Sequence, residues 1–249
     1  MQNVIKVEKL AKKYGDLTVF ENVDLVVPEK QILMMVGGSG CGKSTLLRQI
    51  IGLEKPSEGK VYITGENITD ATGDEKLNIL RKFGVMFQTG GLFASMTIGE
   101  NIKLILDSYT NLSDETKDEI VAIKLNSVGL NGFQDYLPSE ISGGMRKRAA
   151  IARAMSLDPK ILFFDEPGSG LDPVTAASID QLIKNINNSL NTTIVIITHD
   201  LNSVMNIGDR VIMMDASIKG ILADGKPEDL KKSDNEIVYN FFNRIGKSV

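Results

Sequence analysis

Gly37-Gly38-Ser39-Gly40-Cys41-Gly42-Lys43-Ser44-Thr45 has the residue types and spacing to hold phosphate. An apolar run, Ile32-Leu33-Met34-Met35-Val36, precedes it, and Leu46-Leu47-Arg48-Gln49-Ile50-Ile51 follows. Gly37, four residues, then Gly42-Lys43-Ser44 is the loop of a phosphate-binding strand–loop–helix unit, the P-loop. Glycine lets successive backbone N–H groups turn inward without a Cβ clash, which makes a concave anion nest. The helix opening at Gly42-Lys43 adds its positive N-terminal end. Lys43 supplies a point charge for the β- and γ-phosphates, and Ser44 a hydroxyl for Mg2+. The competing reading is a Gly-rich turn beside a lysine; the buried strand before and the amphipathic helix after decide against it. The loop predicts binding of a nucleoside triphosphate. Cys41 lies in this nest beside Lys43, where a thiolate is favoured, so alkylation is expected to inhibit and bound ATP to slow it.

Two further stretches could do chemistry. Ile161-Leu162-Phe163-Phe164-Asp165-Glu166 is an apolar strand ending in two carboxylates. Asp165 at the strand end can hold Mg2+ through water opposite Ser44. Glu166, pointing elsewhere, can orient or deprotonate an attacking water. Paired carboxylates at a strand end can also be a solvated turn; a P-loop in the same chain favours the chemical role. Ile141-Ser142-Gly143-Gly144-Met145-Arg146-Lys147-Arg148 opens a helix with a good N-cap and two glycines, a second anion site that is weak taken alone.

The elements that must position these residues follow from periodicity. Residues 3–10, about 17–27 and 59–64 read as a small antiparallel sheet with breaks at Gly15, Pro28, Gly59 and Gly65. Asp74 to Lys82 is expected as a short helix and Gly84-Val85-Met86-Phe87-Gln88 as a buried strand. From about 92 to 158 the period is helical: Thr97 to Tyr109 with Ile98, Ile102, Ile105 and Leu106 on one face, a helix capped by Ser113 to about Val128, and a third from Ser142. Strands at Ile161–Asp165, Thr193–Thr198 and Arg210–Asp215 alternate with helices 174–190 and 201–207, which indicates a parallel sheet covered on both faces. Ile218–Ala223 is expected to pair with the preceding strand. Beyond Pro227 the chain is helical, with a Val238, Phe241, Phe242, Ile245 stripe expected to pack on its own domain.

Bulk properties narrow the classes. The 249 residues suit one large domain, and 42% hydrophobic with 24% charged residues is ordinary globular composition. A net charge of −4 disfavours a strong non-specific nucleic-acid binder. One cysteine allows neither an intrachain disulfide nor a zinc ribbon. Apolar runs reach about five residues against the roughly 18–20 that span a bilayer, and Met1-Gln2-Asn3-Val4 opens no secretory signal. A cytoplasmic chain is expected, with any membrane connection made through a partner.

In combination the motifs resemble the ATP-binding-cassette (ABC) ATPases along essentially the whole chain. Ser142-Gly143-Gly144 is similar to the signature motif, Gln88 to the Q-loop, Ser169-Gly170-Leu171-Asp172 to the D-loop and Thr198-His199-Asp200 to the switch histidine. Tyr14, just before Gly15, resembles the aromatic that stacks on adenine. The resemblance implies an α/β fold of the P-loop NTPase, RecA-like kind: a mixed sheet with an antiparallel β subdomain and an inserted α-helical subdomain. It implies one ABC ATPase domain over 1–249, with a core and β subdomain from 1–91 and 159–249, a helical signature subdomain at 92–158 and a helical tail at 233–249. ATP and Mg2+ are the implied cofactors. Glu166 and His199 would be catalytic, His199 at the γ-phosphate. Tyr14, Gly37 to Thr45, Gln88, Ser142, Gly143, Gly144 and Asp172 would bind nucleotide, and Ser44, Gln88 and Asp165 the metal.

The same resemblance implies a head-to-tail dimer, each ATP lying between the P-loop of one copy and Ser142 to Gly144 of the other. The γ-phosphate would hold the dimer shut until hydrolysis removes it. Three features point to one branch: Met145 where glutamine is usual, followed by Arg146-Lys147-Arg148-Ala149-Ala150; Gly90-Gly91-Leu92-Phe93 in the Q-loop; and Phe241-Phe242-Asn243-Arg244. All resemble the ATPases of bacterial phospholipid-trafficking systems, the maintenance-of-lipid-asymmetry or MCE type, also known from solvent-tolerance transporters. Lys30-Gln31 stands where a glycine-glutamate pair is usual, without an interpretation. Implied partners are a second copy, an integral permease touched through about Gly90–Thr97 and, indirectly, an MCE-type substrate-binding subunit, but no nucleic acid. The implied place is the cytoplasmic side of a bacterial inner membrane. The alternatives are the ATPase of a solute importer, or a soluble cassette ATPase serving an assembly or division scaffold.

Overall fold

Ile32-Leu33-Met34-Met35-Val36 offers no polar side chain to water, and such a strand is stable only with both faces covered. The computed structural model, which describes residues 2–245, places this run at the centre of a sheet, with all five side chains buried. In chain order the elements are β1 (Asn3–Tyr14), β2 (Leu17–Pro28), β3 (Ile32–Gly37), α1 (Lys43–Ile50), β4 (Glu58–Ile63), β5 (Glu66–Asn67), α2 (Gly73–Leu80) and β6 (Phe83–Met86). Then come α3 (Ile98–Tyr109), α4 (Asp114–Ser127), a 3-10 turn at Pro138–Glu140, α5 (Gly143–Ala154), β7 (Ile161–Asp165) and α6 (Pro173–Leu190). The chain ends with β8 (Thr193–Ile197), α7 (Leu201–Ile207), β9 (Arg210–Asp215), β10 (Gly220–Gly225), α8 (Pro227–Leu230) and α9 (Glu236–Phe242). Two compact units result, one from the chain up to Ile79 and from Thr193 onward, the other from Leu80–Thr192.

The first unit holds two sheets. In one, β1 lies between β2 and β4 and pairs antiparallel with both, Val7 facing Leu25 and Val61. In the other, β3 runs parallel between β8 and β9, with Met34 opposite Ile196 and Val211, and β10 returns antiparallel along β9. β10 begins two residues later than its sequence suggests, because Asp215 accepts from the Ser217 backbone N–H (2.8 Å) and turns the chain there. Val238 and Phe242 of α9 are buried in the described structure and Phe241 half-buried, while Ile245 is exposed; the remainder of the expected tail lies outside the described residues.

The second unit packs α3, α4 and α5 together and sets β6 parallel to β7, Val85 opposite Phe163. Gly84 is required here: a Cβ would sit 1.8 Å from the Ala154 carbonyl oxygen, so β6 approaches α5 only without a side chain. β6 ends at Met86, earlier than the expected Gln88, and Phe87 is already exposed where the chain leaves the strand. The helices begin where short polar side chains occupy their orphan N–H groups. Thr97 and Glu100 form a reciprocal capping box on α3, Ser113 caps α4 and Ser142 caps α5. Among the described residues, no helix is long and apolar enough to cross a membrane.

Candidate functional site

The P-loop follows β3 as its sequence requires. Gly37, Gly40 and Gly42 take φ values of 144°, 77° and 100°, which side-chain-bearing residues rarely adopt. At Gly37 the space is closed too, since a Cβ would lie 2.2 Å from the Met214 carbonyl oxygen. Gly38, Ser39 and Gly40 are exposed, so their backbone is open to an incoming anion. The Lys43 ammonium donates to the carbonyls of Gly37 and Gly38, both at 2.9 Å, and reaches the Cys41 sulfur at 3.5 Å. Cys41 itself is 1% exposed, its sulfur packed under Gly37. The expected reactive thiol is therefore shut inside the loop, because a small side chain there fills the underside of the nest.

Register brings the histidine to the same end of the sheet. Ile197 of β8 pairs with Met35, so His199, two residues on, emerges at the level of Gly37. His199 is exposed, and Asp200 beside it caps α7 by accepting from Asn202 N–H at 2.9 Å. Tyr14 closes β1, and its hydroxyl donates to the Glu54 carboxylate. The Lys12 ammonium bonds Glu54 at 2.8 Å and stands 4.7 Å from the Tyr14 ring centroid, leaving the ring 48% exposed. The bond to Glu54, with burial behind it, holds the Tyr14 hydroxyl above its ordinary range, opposed chiefly by the Arg48 charge. Tyr14, the P-loop and His199 are thus gathered in the first unit.

The second unit gathers the rest. Met86 of β6 pairs with Phe164 of β7, so Gln88 and Glu166 each follow by two residues at the same strand ends. Asp165 and Glu166 are half-buried, and Glu166 has φ +52°, the left-handed region that a residue with a Cβ enters only under constraint. Ser142 accepts from Met145 N–H at 3.2 Å. The signature glycines lie against the segment that follows β7: a Cβ on Gly144 would come 2.6 Å from Thr175 Cγ2, and one on Gly143 3.5 Å from Leu171 Cδ2. Asp172 accepts from Val174 and Thr175 N–H at 3.0 Å and from the Thr175 hydroxyl at 2.5 Å. Those Thr175 bonds hold the Asp172 carboxyl below the usual carboxylate range.

Three residues to which motif reading gives no role in the site do structural work in this unit. Lys147 donates to the Gln88 carbonyl at 2.7 Å and to the Glu166 carbonyl and Ser169 hydroxyl at 3.3 Å, and burial pushes its ammonium below the ordinary lysine value. Asn101, wholly buried, clamps the Gln88–Thr97 loop through Phe93, Met96 and Thr97. Arg153 donates to the Gly91 carbonyl at 3.2 Å and lies 5.5 Å from the Phe93 ring centroid. The loop so held presents exposed Phe87 and Phe93.

The ABC transporter family profile matches residues 20–169. The chain is 41% identical, over 97% of its length and 67% of the relative's, to the probable ribonucleotide transport ATP-binding protein mkl of Mycobacterium tuberculosis. It is 36% identical, over 96% of its length and 90% of the relative's, to the intermembrane phospholipid transport system ATP-binding protein MlaF of Haemophilus influenzae. Its fold superposes with a TM-score of 0.81 and 33% identity, covering 90% of this chain and 98% of the other, on an ATP-binding cassette solved as a post-hydrolysis dimer bound to ADP and Pi. Motif order, fold and relatedness agree: the chain belongs to the ABC transporter family, as an ATPase domain of the P-loop NTPase type.

Proposed function

We propose that two copies of this chain close head to tail on ATP and power a membrane transporter that moves phospholipid between membranes. The observation that carries the lipid assignment is the relatedness, over 96% of the chain, to a phospholipid-transport ATP-binding protein. The loop Gly90-Gly91-Leu92-Phe93, braced from beneath by Asn101 and Arg153, supports a role as the surface offered to a permease.

In this reading the exposed backbone of Gly38 to Gly40 and the Lys43 ammonium receive the phosphates, the ammonium exchanging loop carbonyls for phosphate oxygens. Tyr14 offers its half-exposed ring to the base. Glu166 orients or deprotonates the attacking water, and His199 serves the γ-phosphate. Ser142, Gly143 and Gly144 complete the site of the opposite copy, with Asp172 beside them. Ser44 in the first unit, and Gln88 and Asp165 in the second, each carry an oxygen donor of the kind Mg2+ takes and would be the residues to hold it. When bound, the ion would neutralise charge on the β- and γ-phosphates.

A second cargo has a specific observation in its favour, since the relative at 41% identity is named for ribonucleotide transport. The test is to purify the chain with its membrane partner in mild detergent, reconstitute it, and follow ATP-driven transfer of labelled phospholipid and of labelled ribonucleotide. Phospholipid transfer abolished by Glu166→Gln supports the proposal. Ribonucleotide movement without lipid transfer replaces it, and an active chain that binds no permease removes the transport role.

A further inference from the structure

We propose that Lys147 is a positioning residue for ATP hydrolysis, its ammonium joining the signature helix to the backbone that aims Glu166 and Gln88. This rests on the reading of Glu166 as the residue that acts on water. An ammonium has three N–H donors and no acceptor. All three find partners, on two loops: the Gln88 carbonyl after β6 at 2.7 Å, and, in the loop between β7 and α6, the Glu166 carbonyl and the Ser169 hydroxyl, both at 3.3 Å.

Glu166 is where such support is needed. Its φ of +52° is unfavourable for a residue with a Cβ and persists only where the surroundings over-determine it. Its carbonyl accepts from the Ser169 hydroxyl at 2.9 Å and from the Ser169 backbone N–H at 3.2 Å as well as from Lys147. Ser169 is therefore bonded to both the strained carbonyl and the ammonium, a closed set of contacts rather than a chance salt link. Lys147 stands three residues beyond Gly144 on α5, the helix whose capped start carries Ser142 to Gly144. A displacement of that start, as when it meets a nucleotide held by another copy, moves the ammonium and with it the Glu166 and Gln88 backbones. Lys147 acts through Glu166 and does not itself touch the reacting atoms.

The test uses the full chain, with steady-state ATPase kinetics beside equilibrium binding of a fluorescent ATP analogue. Lys147→Met keeps the length and removes the donors. It is expected to lower kcat on the order of ten- to a hundredfold, the scale of a small misalignment of a reacting group. Nucleotide Kd should stay within about threefold, since the phosphate contacts lie elsewhere. Lys147→Arg retains charge and donors and should recover most of the loss. Ser169→Ala should cost less in the Lys147→Met background than alone, because both side chains support one carbonyl. Parental kcat in Lys147→Met, a kcat loss matched by an equal loss of nucleotide affinity, or equal damage in the Met and Arg variants would each overturn the proposal. If Lys147→Met gives no cooperative melt, Lys147→Leu, which likewise has no side-chain donor, takes its place under the same criteria. Glu166→Gln separates the two levels. Parental turnover there overturns the Glu166 reading itself, whereas an inactive Glu166→Gln beside a fully active Lys147→Met overturns only the positioning role.

Discussion

Asn101 is the side chain whose removal should most clearly uncouple this ATPase from a membrane partner while sparing its nucleotide chemistry. It is wholly buried on α3, and its amide serves the loop that precedes the helix. Oδ1 accepts from Phe93 N–H at 2.7 Å; Nδ2 donates to the carbonyls of Phe93 and Met96 at 3.1 Å and of Thr97 at 2.8 Å. Nδ2 has two N–H groups to share among its three acceptors, so with the bond accepted by Oδ1 the amide makes about three full bonds, each worth about 1 kcal/mol net, or about 3 kcal/mol. Phe93 is exposed and Met96 and Thr97 are half-buried, so water replaces part of this, leaving about 2 kcal/mol for Asn101→Ala. For a chain of this size that is a fall of roughly 4–8 °C in Tm by scanning calorimetry. Asn101→Leu keeps the volume, so a similar fall there assigns the loss to hydrogen bonds rather than to a cavity. ATPase activity of the isolated chain should persist while co-purification with the permease declines. A melt shifted by less than about 2 °C in both variants would show that the amide does not hold the loop.

Three further outcomes follow from contacts elsewhere. Gly84→Ala puts a Cβ 1.8 Å from the Ala154 carbonyl oxygen, a backbone clash expected to cost about 3 kcal/mol or more; an unchanged melt would refute the packing of β6 on α5. Cys41, at 1% exposure, should react with maleimide on the order of a hundredfold more slowly in the folded chain than in denaturant, with little further slowing by ATP; equal rates would mean the thiol is open. Glu54 is held below the ordinary carboxylate value, chiefly by its bond from Lys12 and then by that from Tyr14. A depressed folded value contributes stability that is present above the unfolded value and is lost as pH falls through the folded one. The Tm gap between the wild-type chain and Glu54→Gln should therefore narrow from about pH 6 to pH 3, and a constant gap would refute the contribution.

What could be read from the one-dimensional sequence, and what could not, divides by the distance over which each signal acts. Apolar runs, turn glycines and capping residues act within about four positions, and β3, β7, β9 and the caps at Ser113 and Ser142 fall where periodicity puts them. The P-loop conformation is equally local, three glycines at positive φ in a stretch of six residues. Burial of Cys41 was missed because the nest has an inside and an underside, and only the fold tells which one a side chain at that position enters. Lys147 bonds a carbonyl 59 residues earlier in the chain, a partner that no local window contains. Even so, two of the missed residues left a trace. Asn101 falls on the face of α3 that carries Ile98 and Ile102, where a polar residue is buried and must find partners. Gly144 and Ile151 mark the buried side of α5, and the helical period places 147 and 148 between them, separating Lys147 and Arg148 from the exposed Arg146. A polar side chain on an apolar stripe is thus a question about which backbone groups it satisfies. In this chain the answer at both places is the irregular segment after a strand end, the kind of backbone that cannot satisfy itself and from which an ATPase must nonetheless hold fixed groups.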